Sequence, residues 1–394
     1  MKALLFERSV ARFAAARVAG AVAPGRGARL GPLRLADVDP PAMPGPGWKR
    51  VRPRLAGICG SDLATVNGAS SRWFEPIVSF PFVPGHEVVG DLDDGTRVVL
   101  EPVLGCAARG IEPPCPACAA GDVGRCTNIA FGHLEPGLQT GYCADTGGGW
   151  STALVAHSSQ LHPVPAAMGD DAAVMVEPAA CAIRGAARVG DASTVALIGA
   201  GTLGLCTLAA LRHAAPAPAH VVVAAKHPEQ RALAKGLGAD AVVAPAELAR
   251  AVRRTTGSMA VGNGAVDRLA GGADAVVDCV GSAESLAQAL TLARPGGRIV
   301  LLGMPGAVTV DLTPLWQREI ELVGAYAYGR EPGGRRTFDL AFELVAAAGL
   351  RRLVSATYPL DRFADALTHA GDAGRRGAVK IAFDLRTEKE RDRL

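Results

Sequence analysis

Four cysteines crowd into 21 residues: Cys106, then the pair in Cys115-Pro-Ala-Cys118, then Cys126. A Cys-x2-Cys turn can set two thiolates at the tetrahedral spacing that zinc takes, and four thiolates close the shell. A closed site admits no water and does no chemistry, so its expected role is to hold a loop with little core of its own. A second set mixes donor types: Cys59 in GICGSD, His86 and Glu87 in PGHEVVG, and Glu177 in MVEPAACA. Thiolate, imidazole and carboxylate with room for one more oxygen are what a catalytic zinc needs, because the open position lowers the pKa of whatever hydroxyl binds there. The chain has nine cysteines and no secretory features, which favours metal over disulfides.

A third group of residues points to a dinucleotide. In VALIGAGTLGLCTLAALRHA, Gly199, Gly201 and Gly204 form G-x-G-x-x-G after an expected strand and at the mouth of an expected helix, with Thr202 and Leu203 inside the turn. The first glycine allows the tight turn, the second lets the backbone approach a pyrophosphate, and the third lets helix and strand pack closely. The next strand, HVVVAAKH, ends at Ala225, Lys226 and His227, with Arg231 a turn later. An acid at that tip would hold a ribose 2′-hydroxyl and repel a 2′-phosphate. A small residue followed by cations suits the phosphate, so NADP is favoured over NAD. The other reading of Lys226 and Arg231 is that they are solvated surface charges.

Elements must position these residues. At 394 residues the chain has room for two domains. Up to His162 it shows short β-like runs (VRPRLAGI, TRVVLEPV, STALVAH) broken by Gly and Pro, the texture of a mostly β domain with long loops. From Asp170, helix-length segments alternate with the Val-rich runs VALIGAG, HVVVAAKH, ADAVVDCVG and GRIVLLG. That alternation specifies βαβ units and a parallel sheet, an α/β class overall. The segment from Ala378 to Leu385 reads as a final strand.

A formal charge of +3, with Lys and Arg scattered among acids, gives no reason to expect nucleic acid. No run approaches the ~18 apolar residues of a membrane span, and Glu7 and Arg8 interrupt the first apolar stretch before a signal-peptide core could form. A cytoplasmic protein with a small-molecule partner is expected.

Taken together, GICGSD, GHEVVG, the four-cysteine loop, VEP ahead of GAGTLG, and the later DCVGS and PGGRIVLLG resemble the zinc-dependent alcohol dehydrogenases of the medium-chain dehydrogenase/reductase superfamily, in their polyol and threonine dehydrogenase branch. The resemblance runs from Met1 to about Leu385. It implies a GroES-like mostly-β catalytic domain at 1–178 with both zinc sites, a Rossmann doubly wound parallel sheet at 179–327, and a C-terminal completion of the catalytic domain at 328–394. It also implies one catalytic and one structural zinc. By this likeness Cys59 and His86 are catalytic ligands, Glu177 stands where this branch places a glutamate, and Glu87 is a neighbouring carboxylate able to exchange onto the metal. Ser61 takes the first proton from the alcohol, and Asp62 orients His86. The implied reaction moves hydride between an alcohol, or the matching aldehyde or ketone, and the nicotinamide.

Two departures stand out. Relatives carry a His three residues after the relay serine, whereas this chain has Ala64, so the outer relay needs the cofactor ribose, water or another side chain. Relatives space their loop cysteines as Cys-x2-Cys-x2-Cys-x7-Cys, whereas eight residues separate Cys106 from Cys115 here. A further insertion, GASSRWFEPIVSFPF, brings Trp73 and Phe74 either to the substrate pocket or to the core. The branch favours a polar alcohol, sugar or polyol, while the insertion leaves room for a bulkier biosynthetic carbonyl. A nucleotide-sensing zinc protein without catalysis is the rival of another class. Relatives assemble as homodimers or homotetramers through the Rossmann sheet edge, which would put PLWQREIELVGAYAY near an interface.

Overall fold

All but the last residue of the run VRPRLAGI lies in the strand Trp48–Gly57, the spine of a mostly antiparallel sheet. In a computed structural model that describes residues 1–22, 27–262 and 268–387, the chain divides into two units. The first comprises Met1–Glu177, Tyr328–Arg330 and Gly349–Leu394; the second comprises Pro178–Ala327 and Glu331–Ala348.

In the first unit the strands run Val354–Tyr358, Lys380–Asp384, Trp48–Gly57, Val88–Leu92, Arg97–Leu100 and Leu161–Pro163, with Leu154–His157 also paired to Trp48–Gly57. Pro53 lacks an N–H to give to the ladder, and the register with Val88–Leu92 shifts between Pro53 and Leu55. The core gathers Leu4, Phe6, Val51, Ala56, Val88, Trp150 and Phe383. This sheet sets Gly57 beside both Glu87, through Gly57 N to Glu87 O at 2.8 Å, and the last strand, where it pairs with Ala382. Three segments far apart in sequence therefore meet at one point.

The second unit is a six-stranded parallel sheet in the order Ala241–Val243, His220–Ala224, Thr194–Ile198, Ala273–Asp278, Ala293–Leu301, Glu321–Gly324. Its inner strands are almost continuously buried, as both-face burial requires. Strand order reverses between Thr194–Ile198 and Ala273–Asp278, which is where doubly wound sheets bind ligands.

One expected boundary moves. Residues 331–348, assigned above to the C-terminal completion of the catalytic domain, belong to the second unit. The helix Thr337–Ala347 buries Phe338, Ala341, Leu344 and Val345, and Thr337 Oγ1 donates to Glu331 Oε1 at 2.7 Å while Arg184 Nη1 pairs with the same oxygen at 3.4 Å. An amphipathic helix goes where its apolar face is covered, and its sequence neighbours do not decide that.

Candidate active site

Cys59, His86 and Glu87 each offer a ligand atom, and these three atoms lie within 4.8 Å of one another. Cys59 precedes the helix Gly60–Val66, and its N–H donates to Asp62 Oδ2 at 2.9 Å. The other carboxylate oxygen of Asp62 lies 3.4 Å from His86 Nδ1. Asp62 thus fixes the backbone of one donor and faces the ring of the other. His86 Nδ1 is buried without a hydrogen bond among the described residues, so the Asp62 charge is its main polar surrounding. Burial disfavours a charged His86, but the charges of Asp62 and Cys59 outweigh it and raise its pKa well above the usual imidazole value. Soft thiolate, imidazole and carboxylate in one cluster, with only Cys59 partly exposed, fit zinc by donor chemistry.

Glu177, expected in this set, is not among the three clustered atoms. Its Oε1 accepts from Tyr328 OH at 3.1 Å. Burial pushes its pKa up to about 7; the His86 charge works against this and the Glu87 charge adds to it. Ser61 and Ala64 lie one turn apart on the helix that follows Cys59. Trp73 is 80% exposed, so it is not core, while half-buried Phe74 packs on the core of the first unit.

Sequence reasoning missed three residues. Lys380, 2% exposed, makes an ion pair with Glu87 Oε2 and donates to Ile58 O at 3.2 Å. Burial alone would lower its pKa, but the Glu87 and Cys59 charges raise it, so it stays a cation. The available signal was a lone lysine inside the apolar strand KIAFD, since lysine is almost never buried unpaired. Tyr142 OH lies 3.3 Å from both Asp62 Oδ1 and Thr65 Oγ1, its ring centroid is 6.1 Å from that of His86, and burial and the Asp62 charge raise its phenol pKa well above the usual value. Tyr328, at the start of a three-residue return to the first unit, supplies the Glu177 contact.

The four loop cysteines also cluster, all sulfurs within 4.8 Å, Cys106 included. Cys106 Sγ and Cys115 Sγ lie 3.7 and 3.9 Å from Cys126 Sγ. Zn–S bonds of about 2.3 Å in a tetrahedron put sulfurs about 3.8 Å apart. Backbone N–H groups of Cys115 and Asn128 donate to Cys106 Sγ and Cys126 Sγ at 3.3 and 3.4 Å, which suits thiolates. The eight residues between Cys106 and Cys115 loop out and include the buried Arg109, whose guanidinium donates to Leu104 O, Phe131 O and Gly137 O among other carbonyls.

In the second unit the glycine turn lies where its motif implies. Gly201, which has no side chain of its own to cap with, precedes the helix Thr202–His213, a strand-to-helix turn of the kind that receives an anion. Gly199 has φ +94, and a Cβ at Gly204 would stand 2.0 Å from Gly199 O, so both positions need glycine. Gly199, Gly201, Lys226, His227, Gln230 and Val280 are among the residues lining a cleft of ≈ 590 Å³. Arg231 is not a free surface charge: its Nε donates to Ala225 O at 2.9 Å and its Nη2 to Lys226 O at 3.2 Å.

Comparison with known proteins agrees with this chemistry. Residues 45–166 match the alcohol dehydrogenase GroES-like domain, and residues 202–355 match the zinc-binding dehydrogenase family. An L-idonate 5-dehydrogenase of Vitis vinifera is 28% identical over 374 residues, spanning 90% of this chain and 93% of its own. The starvation-sensing protein RspB of Escherichia coli K12 is 30% identical over 272 residues, 66% of this chain and 70% of its own. A zinc-binding dehydrogenase of Sinorhizobium meliloti 1021, solved with NADP, superposes with a TM-score of 0.68 at 26% identity, covering 89% of this chain and 96% of its own. No helix of the described residues is long and apolar enough to cross a membrane.

Proposed function

The chain belongs to the zinc-dependent alcohol dehydrogenases of the medium-chain dehydrogenase/reductase superfamily, in the polyol branch, and we propose that it oxidises a polar alcohol with NADP, using Cys59 and His86 as catalytic zinc ligands. The observation that carries this reading is the cluster of half-buried Cys59 with buried His86 and Glu87, their ligand atoms within 4.8 Å. A zinc ion held there, with Glu177 and Glu87 the carboxylates available to it, supplies the Lewis acidity that lowers the pKa of a substrate hydroxyl. Asp62 orients His86, and Ser61 would take the substrate proton while releasing its own towards solvent; a bound nicotinamide would supply the hydride acceptor. A second zinc, on Cys106, Cys115, Cys118 and Cys126, is structural.

The 2′-phosphate preference rests on the strand tip. Ala225 and Lys226 present no carboxylate there, and Arg231 is tethered to their carbonyls, close to where a 2′-phosphate would lie. Similar structures are solved with NADP and with NADH, so the choice rests on this strand tip. The exposed edge strand Glu321–Gly324 and the exposed Trp316 support pairing with a second copy of this chain.

The test is a panel of polyols, sugars and bulkier aromatic alcohols assayed with NADP and NAD, on the wild type and on Cys59→Ala. The expected result is a polyol among the best substrates, a higher kcat/KM with NADP, and a Cys59→Ala protein that still binds cofactor but has lost turnover. A Cys59→Ala protein at full rate overturns the zinc reading, a preference for NAD overturns the phosphate reading, and turnover of bulky alcohols alone favours the biosynthetic carbonyl instead.

A further inference from the structure

The stretch between two of the loop cysteines does more than join them. Past the short helix Pro116–Ala119, Gly121 N–H donates to Cys118 O at 3.0 Å and Asp122 N–H to Ala117 O at 2.8 Å, and Cys126 N–H donates to Val123 O at 3.0 Å. The turn at 121–125 is thus strung between Cys118 and Cys126, two of the four clustered sulfurs. The same turn grips Tyr328–Arg330, the three-residue return to the first unit. Gly124 N–H donates to Tyr328 O at 3.2 Å. Gly329 packs so closely that a Cβ there would stand 2.8 Å from Asp122 Cα and 2.5 Å from Asp122 Oδ1. A Cβ at Gly121, where φ is +76, would stand 2.6 Å from Arg330 Nε. Glycine is needed at 329 for room and at 121 for both room and backbone angle. Tyr328 itself is 1% exposed, and its hydroxyl donates to Glu177 Oε1 at 3.1 Å. Ala327, just before it, has φ +51, a left-handed value that persists in alanine only where the surroundings impose it.

We infer that the turn between Cys118 and Cys126 positions the catalytic centre: by gripping Gly329 and the Tyr328 carbonyl, it aims the Tyr328 hydroxyl at Glu177 and fixes that carboxylate for the metal. The inference rests on the reading of Glu177 as a carboxylate available to the catalytic zinc. Tyr328–Arg330 lies in no helix or strand that could set its side chains, and the residues before and after it belong to the second unit. Its aim therefore comes from what it packs on in the first unit. A hydroxyl bonded to one carboxylate oxygen sets how the whole group is turned, as outer hydrogen bonds do for metal ligands in general. The sulfur cluster then holds more than its own loop, because the turn it braces reaches Glu177 through one tyrosine. Tyr328 and Gly329 are positioning residues and touch neither substrate nor cofactor in this scheme.

The test withdraws zinc stepwise from the zinc-loaded protein with EDTA and counts the ions per chain by mass spectrometry. Cys59→Ala, which should keep only the loop zinc, identifies which ion leaves. Gly329→Ala should hold the loop zinc as the wild type does and the catalytic zinc about tenfold more weakly, the lower end of what lost outer hydrogen bonds cost a metal site. Tyr328→Phe keeps the ring, removes the hydroxyl and should give the same loss. The double variant should be no weaker than Tyr328→Phe alone, since both changes cut one chain of contacts. A Gly329→Ala protein that melts lower but binds catalytic zinc as the wild type does overturns the inference. So does a double variant whose losses multiply to about a hundredfold, because the wedge then acts by another route. Gly121→Ala presses on the same contact from the loop side and takes the place of Gly329→Ala if that protein does not fold. Glu177→Gln separates the two readings. Weak catalytic zinc in Glu177→Gln beside wild-type affinity in Gly329→Ala and Tyr328→Phe removes the positioning role alone; wild-type affinity in Glu177→Gln removes the Glu177 reading first.

Discussion

At the scale of single residues, the least expected group is Lys380. It places a full positive charge against Glu87 and Ile58 O in a region that water does not reach. Gly57 makes room for this pair, since a Cβ there would stand 2.0 Å from Glu87 Oε2. With its carboxylate committed to Lys380, Glu87 is held as a neighbour of the metal ligands. Replacing Lys380 with Met strands a buried carboxylate, which costs about 3–5 kcal/mol when nothing compensates. A zinc ion offers that carboxylate a new partner. Lys380→Met should therefore lose most stability in the zinc-free protein and much less with zinc bound, as measured by urea unfolding with and without added zinc; equal losses in the two states would show that Lys380 does not restrain Glu87. Why the pair escaped the sequence is plain from its span: the partners are separated by 293 positions, and no local spacing links them. Cys59, Ser61 and Asp62, by contrast, are neighbours in sequence and meet within one helical turn, so their proximity needed no long-range contact.

At the scale of elements, the cysteine loop shows what spacing can and cannot encode. Cys115 and Cys118 were readable from their turn alone. Cys106 was counted with them although eight residues stand before Cys115 in place of the usual two, and the structure brings its sulfur into the same cluster. What the insertion contains is also informative. Arg109 is fully buried and bonds carbonyls of the loop and of residues 131–137, and burial lowers its pKa. The nearby Cys106 and Cys126 favour its charge, and zinc-bound thiolates would do so more strongly. Cys106→Ser should thus reduce zinc from two ions per chain to one. It should also lower the melting temperature in one cooperative step, while any catalytic activity that survives retains its substrate preference. Metal analysis by mass spectrometry with calorimetry checks both, and two zincs retained in Cys106→Ser would remove Cys106 from the ligand set. The strands and the glycine turn were legible for the opposite reason: period and motif are local properties, and burial followed them. The helix Thr337–Ala347 was misassigned because its partner, the helix Thr202–His213, is more than a hundred residues away.

At the scale of the whole molecule, the parallel sheet of the second unit leaves one side open. Its last strand, Glu321–Gly324, pairs inward with Ala293–Leu301, and among the described residues no strand pairs on its outer side. Its Leu322 is 40% exposed, and Trp316 and Tyr326, on either side of it in sequence, are 80% and 50% exposed. A free edge with apolar neighbours is a template for another chain, which proteins ordinarily blunt with charge, proline or a covering element. Here Pro314 and Glu321 are present, and Leu322 and Trp316 remain exposed beside them. Two copies meeting edge to edge about a twofold axis would join their six-stranded sheets and bury the same residues from each side, the self-complementary arrangement that closed dimers require. Wild-type protein should then sediment as a dimer at micromolar concentration. Trp316→Glu combined with Leu322→Lys should shift it to monomer by placing charges where the apolar faces meet, and the zinc content should not change. A wild type that is monomeric across that range, or a double variant that stays dimeric, would assign the interface to another surface.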